Sequence, residues 1–235
     1  MNVQPSAGAF ASIYVENNPQ VVWTTLVADL ETPVSAMLKL ADGRANAFLL
    51  ESVEGGAVRG RFSIIGMRPD LIWRFKRKEA EINRQARIDL DAFEPCEQAP
   101  MDALRSLVEE SRIDLPPELP PMASGLFGYM GYDSVRLSED IPDENPDHLQ
   151  VPDGLFLRPT LICIFDRLED IVTIVTPVWP KTGMSADAAY VSAQTRLADA
   201  VTDFQRSLPY RRESIPPGET EATEPSSNTT REEFH

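Results

Sequence analysis

Two runs of β-forming residues, 156–166 and 171–177, meet through Asp166-Arg167-Leu168-Glu169-Asp170 and constrain the fold more than any other feature of this chain. Both are rich in Ile, Val, Thr and Phe, whose branched and aromatic side chains suit a pleated surface, and a short charged connection joins antiparallel neighbours. Apolar residues occupy both faces of the pair. A strand buried on one side alternates apolar with polar, so this hairpin belongs at the centre of a sheet with cover above and below. Cys163, inside Leu161-Ile-Cys-Ile-Phe165, reads as a small buried hydrophobe.

The rest of the chain supplies that cover and extends the sheet. Asn18-Pro19 and Thr32-Pro33 each pair a capping residue with proline at the first helical position, which predicts short helices over 19–29 and 33–41, the second turning Met37 and Leu40 inward. Strands are expected at 46–51, 62–66, 70–76 and 80–84, with a turn at Lys76-Arg77-Lys78. An amphipathic helix is expected over 100–111, with Leu104, Leu107 and Val108 on one side. Prolines 116, 117, 120 and 121 mark a loop. Gly125, Gly128 and Gly131 lack the Gly-Lys-Ser/Thr ending of a phosphate loop, so they read as places of close backbone approach. Tyr129 and Tyr132 should then pack a core boundary, and Asp133 should pair with Arg136. Ser185 caps a helix of about 185–206 whose Tyr190, Gln194, Leu197, Val201 and Phe204 recur at helical spacing. The fold class is therefore α+β, largely antiparallel sheet with flanking helices. Residues 1–210 form one domain, and 211–228 form an acidic Pro/Ser/Thr linker that cannot offset its ordering entropy. Residues 229–235 begin a helix at the capping-box spacing Thr230/Glu233. One helical turn is unstable alone, so the sequence reads as the front piece of a longer polypeptide.

Charge and composition exclude several functions. A net charge of −15 leaves no basic stripe to replace phosphate counterions, so nucleic acid is excluded as a partner. The most apolar stretch, 161–178, is interrupted by Asp166, Arg167, Glu169 and Asp170 and does not span a bilayer. Two distant cysteines, Cys96 and Cys163, give no disulfide or metal pattern, which suits a cytoplasmic protein. His148 and His235 are poor candidates for a general base. The acidic run Asp140, Asp143, Glu144 and Asp147 lacks the ligand spacing of a calcium loop and reads as solvated. No catalytic residue and no metal site is expected in this chain.

The most informative motif is 47–66. The apolar run Phe48-Leu49-Leu50 delivers Glu51 and Ser52, a glycine-punctuated turn follows (Gly55, Gly56, Gly60), and Phe62 to Ile65 returns as a strand. An adjacent carboxylate and hydroxyl can hold an ammonium group by charge-assisted hydrogen bonds, although solvated strand ends carry such pairs too. This segment, Arg61-Phe-Ser-Ile-Ile-Gly66 followed by Pro69-Asp-Leu-Ile-Trp-Arg74, and Gly125-Leu-Phe-Gly-Tyr-Met-Gly-Tyr-Asp-Ser-Val-Arg136 closing at Ile141-Pro142 together resemble, in order and spacing, the amino-terminal portion of the anthranilate synthase component I family. Asp153-Gly-Leu-Phe-Leu and Phe165-Asp166 agree with the strand pair that follows. Met67-Arg68 departs from a more usual Leu-Asp-like pair and reads as loop variation.

The resemblance implies about half of an orthogonal two-sheet sandwich, which would leave an apolar face to associate with other surfaces. It implies an enzyme, inactive as this piece alone, that converts chorismate and glutamine-derived ammonia to anthranilate and pyruvate in tryptophan biosynthesis. Mg2+, chorismate and the acid–base groups would belong to the carboxyl-terminal half, and a glutamine amidotransferase subunit would be the partner. Matched to the family's inhibitor-binding motif, Leu50, Glu51 and Ser52 would bind L-tryptophan, with Glu51 near its ammonium, Ser52 beside it and Leu50 near the indole. Arg61 and Ser63 read as a packed strand. The corresponding half of aminodeoxychorismate synthase, and a free-standing amino-acid-binding module, remain open as alternatives.

Overall fold

A computed structural model describes residues 1–41, 43–51, 60–142, 146–208, 227 and 229–234. In chain order the elements are α1 (Ala7–Val15), β1 (Gln20–Val27), α2 (Pro33–Ala41), β2 (Phe48–Glu51), β3 (Phe62–Lys76), β4 (Glu79–Asn83), β5 (Glu94–Pro95), α3 (Pro100–Glu110), β6 (Phe127–Met130), β7 (Gly154–Asp166), β8 (Ile171–Val178), α4 (Ala186–Phe204) and α5 (Arg231–Phe234). All described strands join one antiparallel sheet, ordered β1-β8-β7-β3-β4-β5, with β2 added to β3 and β6 added to β7. The hairpin read from 156–177 is its centre, and the α+β architecture is as expected.

The two longest strands, β3 and β7, pair with each other along one edge and each serve two shorter strands in succession along the other. Strand β3 pairs with β7 from Phe62↔Asp166 to Phe75↔Gly154; along its other edge it pairs first with β2 and then with β4. The expected strands 62–66 and 70–76 are thus one strand with a register shift between Pro69 and Leu71, where Pro69 faces Pro159. Two prolines that cannot donate to the ladder are tolerated at such an irregularity. Arg68 enters it with φ of 53°, so Met67-Arg68 lies inside a strand and not in a loop.

The central strands of the sheet are covered on both faces. One face packs Ile65, Met67, Leu161, Cys163 and Ile174 against Phe10 of α1, Leu40 of α2 and Ala193, Leu197 and Phe204 of α4. The other places Ile162, Ile164 and Val175 against Ile113, Leu119 and Ala123. The apolar face expected to lie bare is therefore occupied here by the proline-rich segment. Burial also lifts the Cys163 thiol to about 12, which keeps it protonated and inert.

Local chemistry explains the helices. The Thr32 hydroxyl accepts from the Ser35 amide at 3.1 Å at the start of α2, and Ser185 accepts from the Ala188 amide at 3.2 Å at the start of α4. Asn18-Pro19, however, opens a strand. Val21, Val22, Trp23, Thr24 and Thr25 are β-branched or aromatic and pair residue for residue with β8, which outweighs the cap signal. The helix in that region lies earlier, where the Ser6 hydroxyl accepts from the Ala9 amide at 3.4 Å. In α3, Ala103 and Leu107 are buried while Val108 is exposed, and Tyr129 and Tyr132 are exposed as well, contrary to the expected core positions. Asp133 and Arg136 do pair, at 3.0 Å. The one-turn α5 begins where the Thr230/Glu233 spacing predicts a helix. The 211–226 part of the expected linker lies outside the described residues.

Candidate functional site

Strand β2 is an edge strand whose single described partner is β3, in the register Leu50↔Ile64 and Glu51↔Ser63. Because side chains alternate across a sheet, Glu51 shares a face with Ser63 and the helices, while Leu50 shares the opposite face with Ile64. Leu50 is half exposed, and Ser63 is fully buried. Ser52 lies outside the described residues, as do Gly55 and Gly56. Leu50 and Glu51 thus present their side chains to opposite faces of the sheet. A ligand touching both Leu50 and Glu51 has to lie across the strand's free edge, where the backbone offers further donors and acceptors.

A basic residue not anticipated from the motif completes this end of the sheet. Arg167, the first residue past β7, donates from Nη2 to Glu51 Oε1 at 3.2 Å and to Ser63 Oγ at 3.4 Å. Its backbone amide donates to Arg61 O at 3.0 Å, which ties the turn to the start of β3. Beside it, Arg61 grips Asp166 with two parallel bonds, Nε to Oδ1 at 2.9 Å and Nη2 to Oδ2 at 2.5 Å. The clustered order is therefore carboxylate, hydroxyl, guanidinium, then a closed ion pair. The signal for Arg167 was present in the sequence. The hairpin register that ends β7 at Asp166 carries Arg167 to the strand end opposite Glu51, but no local motif marks it.

Asp166 is more than a neighbour. Hydrogen bonds from Arg61 hold its carboxyl below the ordinary value of 3.8, with the Leu168 amide adding to the effect against the opposing cost of burial. A depressed folded value means stability that is present above pH 3.8 and is lost as the pH falls through the folded value. Urea unfolding followed from pH 5 downward is expected to fall more steeply for the native chain than for Asp166→Asn. Parallel slopes would show that the pair contributes nothing to folding.

The remaining candidates are structural. Asp147, in the acidic run, meets Lys76 at 2.6 Å, and His148 is exposed; residues 143–145 of the run lie outside the described residues. Among the described residues no three His, Cys, Asp or Glu side chains gather in a way that could hold a metal ion. No described helix is long and apolar enough to cross a membrane.

No family model matches the chain. Anthranilate synthase component 1 of Cereibacter sphaeroides is 50% identical over 194 residues, covering 83% of this chain and 39% of that protein. The Thermus thermophilus protein of the same name is 39% identical over 155 residues, covering 65% and 31%, and that of Synechocystis is 32% identical over 209 residues, covering 88% and 40%. Among solved structures, anthranilate synthase component I from Streptococcus pneumoniae aligns over 78% of this chain and 37% of its own, with a TM-score of 0.48 and 19% identity. The chain spans two fifths or less of the length of these curated relatives. Half of the residues identical across 194 positions is far beyond chance agreement, and on that likeness the chain belongs to the anthranilate synthase component 1 family.

Proposed function

We propose that this chain is the amino-terminal scaffold and tryptophan-binding part of an anthranilate synthase component I. The observation that carries the reading is the strand end itself: Glu51, exposed enough to meet a ligand, stands 3.2 Å from Arg167 at the free edge of the sheet. An α-amino acid is a zwitterion, and this pair matches it. The ammonium would meet Glu51 and the Ser52 hydroxyl, the carboxylate would meet Arg167, and Leu50 would touch the indole across the edge. Binding would exchange the Glu51–Arg167 contact for two contacts to ligand, so the free site keeps both charges partnered while empty.

On the same reading, the whole protein would be a lyase of tryptophan biosynthesis in the cytoplasm. It would convert chorismate, with ammonia from a glutamine amidotransferase subunit, to anthranilate and pyruvate, and tryptophan would inhibit it. The Mg2+ that such chemistry needs would be held by the carboxyl-terminal half that the resemblance implies.

The test is calorimetric titration of the full-length protein with L-tryptophan, beside a fluorescence assay for anthranilate. Glu51→Ala combined with Ser52→Ala removes a charge-assisted bond and a hydroxyl, so tryptophan binding should weaken by at least about tenfold while uninhibited turnover persists. Unchanged affinity and unchanged inhibition in the double variant would rule the site out.

A further inference from the structure

At the opposite end of the β2–β3 ladder from Glu51 lies a cavity of about 370 Å³, bounded by Arg44, Asn46, Met67, Arg68, Arg87 and Leu90. Among the described residues its charge is one-sided: three arginines and no carboxylate line it. The larger cavity beside the Arg77 turn differs, mixing Arg74, Lys76 and Lys78 with Glu79, Glu81 and Glu97. Three cations around one concavity are conspicuous in a chain whose net charge is −15.

Among the described residues the arginines are poorly compensated. Arg68 Nη2 reaches Asp203 Oδ2 at 3.5 Å, but Arg206 also holds Asp203, at 2.8 Å. Arg68 Nε is buried and has no hydrogen-bond partner among the described residues. Neither Arg44 nor Arg87 forms an ion pair with a described residue. Burial, followed by the charges of Arg44 and Arg87, pushes the Arg68 guanidinium below its ordinary value, against partial relief from Asp203 and Asp199. A left-handed backbone at Asn46 and at Arg68, with φ of 59° and 53°, fixes two of the lining residues where the chain bends.

We infer that this arginine-lined cavity is a binding site for a small dianion, either a phosphate monoester or a dicarboxylate. Guanidinium forks match the planar or tetrahedral oxygen pairs of both groups, and Met67 and Leu90 supply apolar wall for a compact organic body. A bound dianion would screen the three cations from one another. The site is independent of the tryptophan proposal, because it uses none of Leu50, Glu51, Ser52 or Arg167.

Calorimetric titration of the chain with inorganic phosphate and, separately, with succinate at constant ionic strength tests this. At least one probe should bind saturably at one site per chain; which probe does so decides between the two anion classes. Arg87→Gln should weaken that binding by about tenfold, the loss of one charge-assisted contact, and Arg44→Gln with Arg87→Gln should abolish it. Both side chains are exposed, and the double variant should melt no lower than the native chain in the absence of probe, since it removes repulsion. Absence of saturable binding by either probe, or equal affinity in native and Arg87→Gln chains, would overturn the assignment.

Discussion

Arg158→Ala is expected to destabilise the fold by about 3 kcal/mol or more, a drop in Tm of about 6–12 °C for a domain of this size. Arg158 is almost fully buried. It donates to both oxygens of Asp70, Nε to Oδ1 at 2.9 Å and Nη2 to Oδ2 at 3.0 Å, and it lies 4.2 Å over the Trp179 ring. Nη1 also reaches Glu110 and Ser111 at 3.4 Å, so one guanidinium ties β7, β3 and the end of α3. The register shift after Pro69 is what brings Asp70 to it. Truncation strips the partly buried Asp70 carboxylate of its direct ion-pair partner, leaving only the more distant charges of Arg84 and Arg196, which costs more than the ion pair itself is worth. Combining Arg158→Met with Asp70→Leu should therefore recover much of the loss. Thermal melts of the three chains settle it: if the single variant melts within two degrees of the native chain, the network is dispensable.

Gly128→Ala should be comparably severe, for a steric reason. A methyl group at residue 128 would lie 1.8 Å from Leu155 O and 2.8 Å from Phe156 Cα, both backbone atoms that cannot swing aside. Strand β6 would have to lift from β7, breaking the pairing Gly128↔Phe156 and pulling Phe127 away from its stack on Phe48, where the ring centroids are 5.0 Å apart. Overpacking of this kind costs about 1–3 kcal/mol, and more where only backbone can yield. A midpoint in urea unchanged from the native chain would disprove the close approach. Gly66→Ala makes an informative contrast. There the added methyl meets the Phe48 ring, the end of a side chain, so the cost should be smaller.

These particulars show which physical levels a sequence discloses. Capped helices α2 and α4 and the central β7–β8 hairpin were legible because local signals and tertiary demands agree there. At Asn18-Pro19 they conflict, and the pairing of β1 with β8, a contact between distant stretches of chain, overrides the cap. The union of two expected strands into β3 was hidden for the same reason, since a register shift beside two prolines is visible only from the partner strand. The candidate site divides similarly. Glu51 and Ser52 came from motif resemblance, whereas Arg167 meets Glu51 only once the sheet is assembled. The arginine cavity draws on residues 44–46, 67–69 and 86–90, which no linear pattern unites.

The β1–β8 pairing also has a consequence for synthesis on the ribosome. Gln20–Val27 leaves the exit tunnel early, yet its hydrogen-bonding partner begins only at Ile171. At about 5–20 residues per second, an apolar, β-prone segment must wait roughly seven to thirty seconds for its mate. Over that interval it is a ready template for other nascent chains, so holdase chaperones should be found on translation intermediates that stop short of Val178 and absent from those extended past it.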